Sequence, residues 1–313
     1  MLGRTGLNVS VIGFGASPLG NVFGEVTPAA GRAAVHHAID AGINLFDVSP
    51  YYGLTLAEER LGAALAGRRD EVILSTKCGR YGAELFDFSA ETVTREFEAS
   101  LARLQTDYVD LLQVHDVEFG SIDLILNETL PAMRRLQQQG KVRYVGITGY
   151  WPGLLARMAE SVAVDTVLNY CHANLLIDDM DRQLVPVAER LGIGLMNASP
   201  LHMGLLGGSP VPEWHPAPVV VKAAASAVVA LCRAHDVSPA TAALYACLEH
   251  PVVASTFIGF TSEAQVDDSL GALDWNPPDG LLEQIREIVA PVHNTVWPSG
   301  LPENQPVELT HAR

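Results

Sequence analysis

The run Asn44-Leu45-Phe46-Asp47-Val48-Ser49-Pro50-Tyr51-Tyr52-Gly53 decides how the rest of the chain is read. Leu45, Phe46 and Val48 make a short buried strand, and Pro50 and Gly53 end any regular element. Asp47 sits at the end of that strand and needs a partner, because an unpaired carboxylate is costly to bury. Asp47 and Tyr52 therefore stand where a strand empties into a loop. In barrels of alternating strands and helices, that end carries the chemistry. Taken alone, the stretch fits a structural Asp and a packing Tyr as well.

Two further runs change the balance. Glu71-Val72-Ile73-Leu74-Ser75-Thr76-Lys77 is an apolar strand ending in a cation, and Tyr108-Val109-Asp110-Leu111-Leu112-Gln113-Val114-His115 is another ending in an imidazole. If these strands are parallel, Asp47, Tyr52, Lys77 and His115 converge on one rim. The alternation continues along the chain. Strands are expected at 11–15, 142–148, 165–169, 194–198 and 253–258, with helices between them. Thr27-Pro28, Ser89, Ser238 and Ser262 supply helix starts, while Gly42, Gly140 and Gly192 supply stops. The pattern predicts an α/β fold of the (β/α)8 TIM-barrel type, a single domain over 1–313. Gly3 and Gly6 suggest an N-terminal hairpin over 2–9 across the bottom of the barrel. An extra C-terminal helix is expected over 281–289, followed by a loosely ordered Pro-rich tail from Pro298.

Composition narrows the function classes. Of 313 residues, 48% are hydrophobic and 18% charged, enough for a large core. A formal charge of −16 argues against nucleic acid as a partner. No apolar run approaches the roughly 20 residues of a membrane span, and the first residues carry no signal-peptide core. The four cysteines, Cys78, Cys171, Cys232 and Cys247, form no CxxC pair. A cytoplasmic protein without membrane partners is expected. No strand end carries an HxH pair, so no metal site is expected.

The strand-end residues resemble those of the aldo-keto reductase family, which uses an Asp, Tyr, Lys, His tetrad at these places. The resemblance runs from Leu2-Gly3-Arg4-Thr5-Gly6-Leu7 to about Leu273. Ser199-Pro200-Leu201-His202-Met203-Gly204-Leu205-Leu206 and Pro212-Glu213-Trp214-His215-Pro216-Ala217 are similar to the aldose 1-dehydrogenase branch. The resemblance implies an NAD(P)-dependent oxidoreductase with Tyr52 as general acid/base. Lys77 would lower the phenol pKa, Asp47 would hold Lys77, and His115 would orient the substrate oxygen. It also implies cofactor residues: Thr148 and Asn169 for the nicotinamide carboxamide, and Ser199, Leu201, Gly204 and Leu205 for the pyrophosphate. Gly259, Thr261, Gln265 and Ser269 would hold the adenosine half. Gly149 stands where the family commonly has Asn. Trp214 and His215 are implied at the substrate, which would be an aldose of the L-galactose or L-fucose type, oxidised at C1 to the lactone.

NAD is the expected cofactor and NADP the alternative. No Lys or Arg lies between Gly259 and Leu273 to pair a 2′-phosphate, whereas Glu263, Asp267 and Asp268 do lie there. Competing readings are an NADPH-dependent reductase of small aldehydes or ketones, a cofactor-binding regulatory barrel, and a Schiff-base aldolase using Lys77. The last requires an apolar surround for Lys77, which Asp47 and Tyr52 argue against.

Overall fold

The computed structural model describes residues 1–211 and 213–307. Pro212, part of the second branch motif, and 308–313, the end of the expected tail, lie outside the described residues. The strands are β1 Ile12–Gly15, β2 Leu45–Asp47, β3 Ile73–Cys78, β4 Val109–Val114, β5 Val142–Gly149, β6 Thr166–Tyr170, β7 Gly194–Ala198 and β8 Ser255–Gly259. All neighbours pair in parallel, and β8 returns to β1 to close a barrel in sequence order. Helices cover the outside, so the strands are buried on both faces and read as continuous apolar runs.

Local chemistry sets the helix starts. Thr27 Oγ1 accepts from the Ala30 N–H at 3.2 Å, with Pro28 in the first helical position. Ser89, Ser238 and Ser262 cap the helices Ala90–Leu104, Pro239–Leu248 and Glu263–Gly271 in the same way. No helix among the described residues is long and apolar enough to cross a membrane.

The lower barrel interior is filled by Leu45, Leu111, Leu168, Met196 and Phe257, closed from below by Leu2, Leu7 and Val9. The N-terminal hairpin expected there is not formed by strands. Gly3–Thr5 is a single 3-10 turn, held by Leu2 N to Leu7 O at 2.9 Å and by Thr5 Oγ1 donating to Leu2 O at 2.6 Å. The reason is burial: the curled turn sends Leu2, Leu7 and Val9 all inward, each gaining about 1.5–3 kcal/mol. A two-stranded ribbon would turn alternate side chains to opposite faces.

The extra helix is present at Leu281–Val289. The segment after it is packed, contrary to the loose tail expected. Trp297 is buried, and Trp151 Nε1 donates to Ser299 O at 2.8 Å. Leu301 N and Asn304 Nδ2 both donate to Glu118 O, at 2.8 and 2.9 Å. Buried carbonyls that need donors hold this tail, despite its prolines.

Candidate active site

Parallel pairing sets Asp47 beside Ser75 and Lys77 beside Gln113. Because β2, β3 and β4 point the same way, their last residues reach the same rim. Lys77 is 2% exposed, and each of its three ammonium protons has an acceptor: Asp47 Oδ2, Val48 O at 3.0 Å and Tyr52 Oη at 3.3 Å. Asp47 Oδ1 accepts from Ser75 Oγ at 2.9 Å and Gln113 Nε2 at 3.3 Å. Ser75 and Gln113 thus anchor the acid that anchors the lysine. Sequence reasoning missed both, although each lies two residues before a tetrad member on the same strand and so faces the same way.

The His115 ring meets the Tyr52 ring edge-on, with centroids 5.6 Å apart. Ser49 Oγ accepts from the Tyr51 N–H at 3.1 Å and lies 2.9 Å from His115 Nδ1. With the serine proton given to Nδ1, the imidazole carries its own proton on Nε2. Burial pushes the His115 pKa down to about 3, with Lys77 and Arg80 acting the same way against Asp116. The imidazole is therefore a neutral donor at working pH.

Tyr52 differs from expectation. Burial raises its pKa, Lys77 opposes the rise, Asp47 and Asp116 add to it, and the phenol ends above its ordinary value. Lys77 does favour the phenolate, but desolvation outweighs it. For Lys77 itself, burial lowers the pKa, while Asp47 and then Tyr52 more than offset this. A lysine so held stays an ammonium, which disfavours Schiff-base chemistry.

Beyond His115 lies a polar wall that the sequence reading did not single out. Arg80 pairs with Asp116 through Nη1 and Oδ2, and lies 3.9 Å over the Tyr51 ring. Asp116 Oδ2 is 3.7 Å from His115 Nε2. Behind it, Glu118 is fully buried and accepts from Tyr150 N at 3.0 Å and Tyr170 Oη at 3.3 Å. Burial, then the Asp116 charge, push its carboxyl pKa up to about 8. A Cβ on Gly149 would lie 2.6 Å from Glu118 Oε2. A side chain at that position would have to displace the Glu118 carboxylate.

On the other side of the rim a groove of about 470 Å³ runs from Asp47 and Tyr52 to the helix Glu263–Gly271. Of the sequence-predicted cofactor residues, Ser199, Leu201, Gly204, Gly259, Thr261, Gln265 and Ser269 line it. Leu205 does not; its side chain is buried in the outer core. Thr148 and Asn169 are buried at the ends of β5 and β6. Thr148 Oγ1 accepts from Asp116 N at 3.2 Å, which leaves its own proton to donate. Asn169 Nδ2 donates to Gly149 O and Tyr150 O, both at 2.8 Å, while its Oδ1 is sealed without a partner. Neither Thr148 nor Asn169 is among the residues lining the groove, and the register sets Thr148 against Leu168 but Asn169 against Gly149, so the two side chains face opposite sides of the strands. Ser262 caps the helix Glu263–Gly271, whose free N–H groups and dipole favour an anion.

The two implied substrate residues part company. Trp214 is 52% exposed, 6.1 Å from the ring of Phe23, which lines the groove. His215 is buried and committed within its own loop. Its Nε2 is 2.9 Å from His202 O, and its Nδ1 accepts from Ala217 N at 3.1 Å. With both nitrogens engaged, His215 shapes the connection after β7 and has no free atom for a substrate.

Residues 11–290 match the aldo/keto reductase family. The chain is 44% identical over 313 residues to L-galactose dehydrogenase of Arabidopsis thaliana, covering 97% of this chain and 98% of that one. It is 29% identical to D-threo-aldose 1-dehydrogenase of Pseudomonas sp, covering 90% and 94%. An aldo-keto reductase from Bacillus halodurans, solved in its holo form, superposes with a TM-score of 0.76 at 28% identity, covering 96% of this chain and 97% of that one.

Proposed function

The chain belongs to the aldo/keto reductase family of nicotinamide-dependent oxidoreductases, and from that premise we propose that it oxidises C1 of an aldose of the L-galactose type to the lactone, with NAD as preferred cofactor. The observation that carries the chemistry is Tyr52 Oη, 3.3 Å from the Lys77 ammonium at the lip of the groove. The bound nicotinamide supplies the hydride acceptor for oxidation and the donor for reduction. Tyr52 takes the proton of the C1 hydroxyl. Lys77 stabilises the phenolate form that does so, and Asp47 holds Lys77 in line. His115 donates from Nε2 to the same substrate oxygen, fixing its position between imidazole and phenol.

The aldose assignment rests on likeness to the two sugar dehydrogenases. Cofactor preference rests on the groove. Its adenosine end carries Thr261, Gln265, Asp268 and Ser269, with no Lys or Arg among its lining residues. Lys222, a cation that would otherwise be a candidate for a 2′-phosphate, donates to His215 O at 2.7 Å. Arg233 donates to Gly208 O at 2.6 Å. Unlike NAD, NADP would bring a dianion beside Asp268 without a paired cation. One observation favours a second reading. The raised Tyr52 pKa suits a proton donor at neutral pH, as reduction of small aldehydes or ketones requires.

A panel of L- and D-aldoses with NAD and NADP, set against simple aldehydes with NADH and NADPH, tests both readings. Highest kcat/KM for an aldose with NAD is expected. Equal or better efficiency for simple aldehydes with NADPH would reverse the order, and tighter binding of NADP than NAD would remove the cofactor assignment.

A further inference from the structure

We infer that Arg80 and Asp116 read the hydroxyl neighbouring C1 of the sugar, and so set the preference for a polyol over a simple aldehyde or alcohol. The inference rests on the aldose reading above. Three observations carry it. Asp116 immediately follows His115, and its Oδ2 is 3.7 Å from His115 Nε2. Neighbouring oxygens of a vicinal diol bridge such a span, one on the imidazole and the next on the carboxylate.

Second, the pair has free hydrogen-bonding capacity on both sides. No described residue donates to Asp116 Oδ1, and no described acceptor takes a proton from Arg80 Nη2. Neither atom is among those sealed from solvent, whereas Arg80 Nε is. A carboxylate oxygen and a guanidinium N–H of one ion pair, neither engaged by a described residue, are an acceptor and a donor for hydroxyls, which both give and accept.

Third, the couple is held rigidly. The Asp116 backbone lies at φ 52°, pinned by its N–H to Thr148 Oγ1. Arg80 lies over Tyr51 at 3.9 Å, with Phe86 and Phe119 at 5.1 and 5.4 Å. These two phenyl rings stack on one another at 4.6 Å. A side chain fixed before the ligand arrives gives up little freedom on binding. Since Arg80 already neutralises Asp116, the pair recognises a neutral sugar without leaving a charge unmatched.

The experiment compares kcat/KM for an aldose, for its 2-deoxy counterpart and for reduction of a simple aldehyde. It does so in the unaltered protein, in Asp116→Asn and in Arg80→Lys, with NAD binding followed by fluorescence to show an intact groove. The unaltered protein should prefer the aldose to its 2-deoxy form by about tenfold or more, the worth of a hydrogen bond to a charged group. Both variants should narrow that ratio to within about threefold, through KM rather than kcat. A preserved ratio in both variants, with all substrates falling together, would overturn the assignment and leave the pair as support for His115. If Asp116→Asn no longer binds NAD, the ratio in Arg80→Lys decides. If the unaltered protein turns over no aldose, the aldose reading itself falls, and that is seen before any variant is made.

Discussion

On the β2–β4 side of the rim, Asp47, Lys77 and His115 are buried and charged or polar: Asp47 is bonded to Lys77 and to Ser75 of β3, and His115 to Ser49 just past β2. On the β7–β8 side, the candidate cofactor residues are small or uncharged and partly open: Gly259 and Gln265 are exposed, and Ser199, Leu201 and Thr261 half-buried. The first side is positioned by barrel register. The second is positioned by a connection whose backbone takes positive φ at Ser199, His202, Met203 and Gly204. Groups that must meet to within an ångström are placed on strands, whereas a long ligand is met by a surface that gathers backbone and hydroxyl groups. Substitutions on the two sides should therefore differ in kind, the first removing chemistry or stability and the second shifting affinity.

The largest effect should come from Lys77→Met. It strands Asp47 as an unpaired buried charge, and breaking such a pair destabilises by roughly 3–5 kcal/mol. Turnover should collapse as well. Adding Asp47→Asn should restore most of the stability without restoring activity, as measured by denaturant melts and steady-state rates. If the single variant melts within about 1 kcal/mol of the unaltered protein, below the low end for a broken buried pair, the pair is not the buried anchor described.

Tyr52→Phe comes next. Removing the proton relay should lower kcat by about 10²-fold or more and leave the NAD Kd nearly unchanged, because the groove keeps its shape. The phenol pKa also dictates a pH profile. With that pKa raised, the phenolate fraction grows about tenfold per pH unit below it. The oxidation rate should therefore climb through neutral pH into the alkaline range, while reduction holds up over the same span. A plateau in oxidation near pH 7 would show that the bound cofactor reverses the effect of burial.

On the groove side, Thr261→Arg with Gln265→Arg should raise NADP affinity about tenfold, in keeping with one or two charge-assisted bonds, and leave kcat with NAD intact. Competition titrations read this directly, and loss of NAD turnover would show that the two residues belong to the chemistry as well. The smallest effect is expected for Trp214→Ala. An exposed ring at the groove mouth should change aldose KM by about two- to fivefold, the cost of losing one partly desolvated contact, with kcat unchanged. A fall in kcat of tenfold would move Trp214 into the catalytic group.

Much of this was legible in the residues. Three apolar runs ending in Asp47, Lys77 and His115 reveal both the barrel and the rim, because parallel strands repeat one geometry. Ser75 and Gln113 could have been found by strand alternation. The polar wall could not. Arg80, Asp116 and Glu118 lie past their strands, Glu118 in the short 3-10 turn Val117–Phe119, where no periodicity says which way a side chain points. His215 shows the converse: the resemblance implies it at the substrate, while both its ring nitrogens are engaged within the connection.

The sequence by itself determined the alternation of elements, the helix starts and the identity of the groups at the strand ends. Each of these depends on neighbours within a few residues: propensity, capping and burial period. Tertiary structure decided what depends on distant partners. It curled the N-terminal turn so that Leu2, Leu7 and Val9 seal the barrel, and docked the tail through Asn304 onto Glu118. It also set Glu118 Oε2 against Gly149, where any side chain would have to displace it. Likewise it set the sign of the Tyr52 shift, since the balance between desolvation and the Lys77 charge depends on how deeply the closed barrel buries them both.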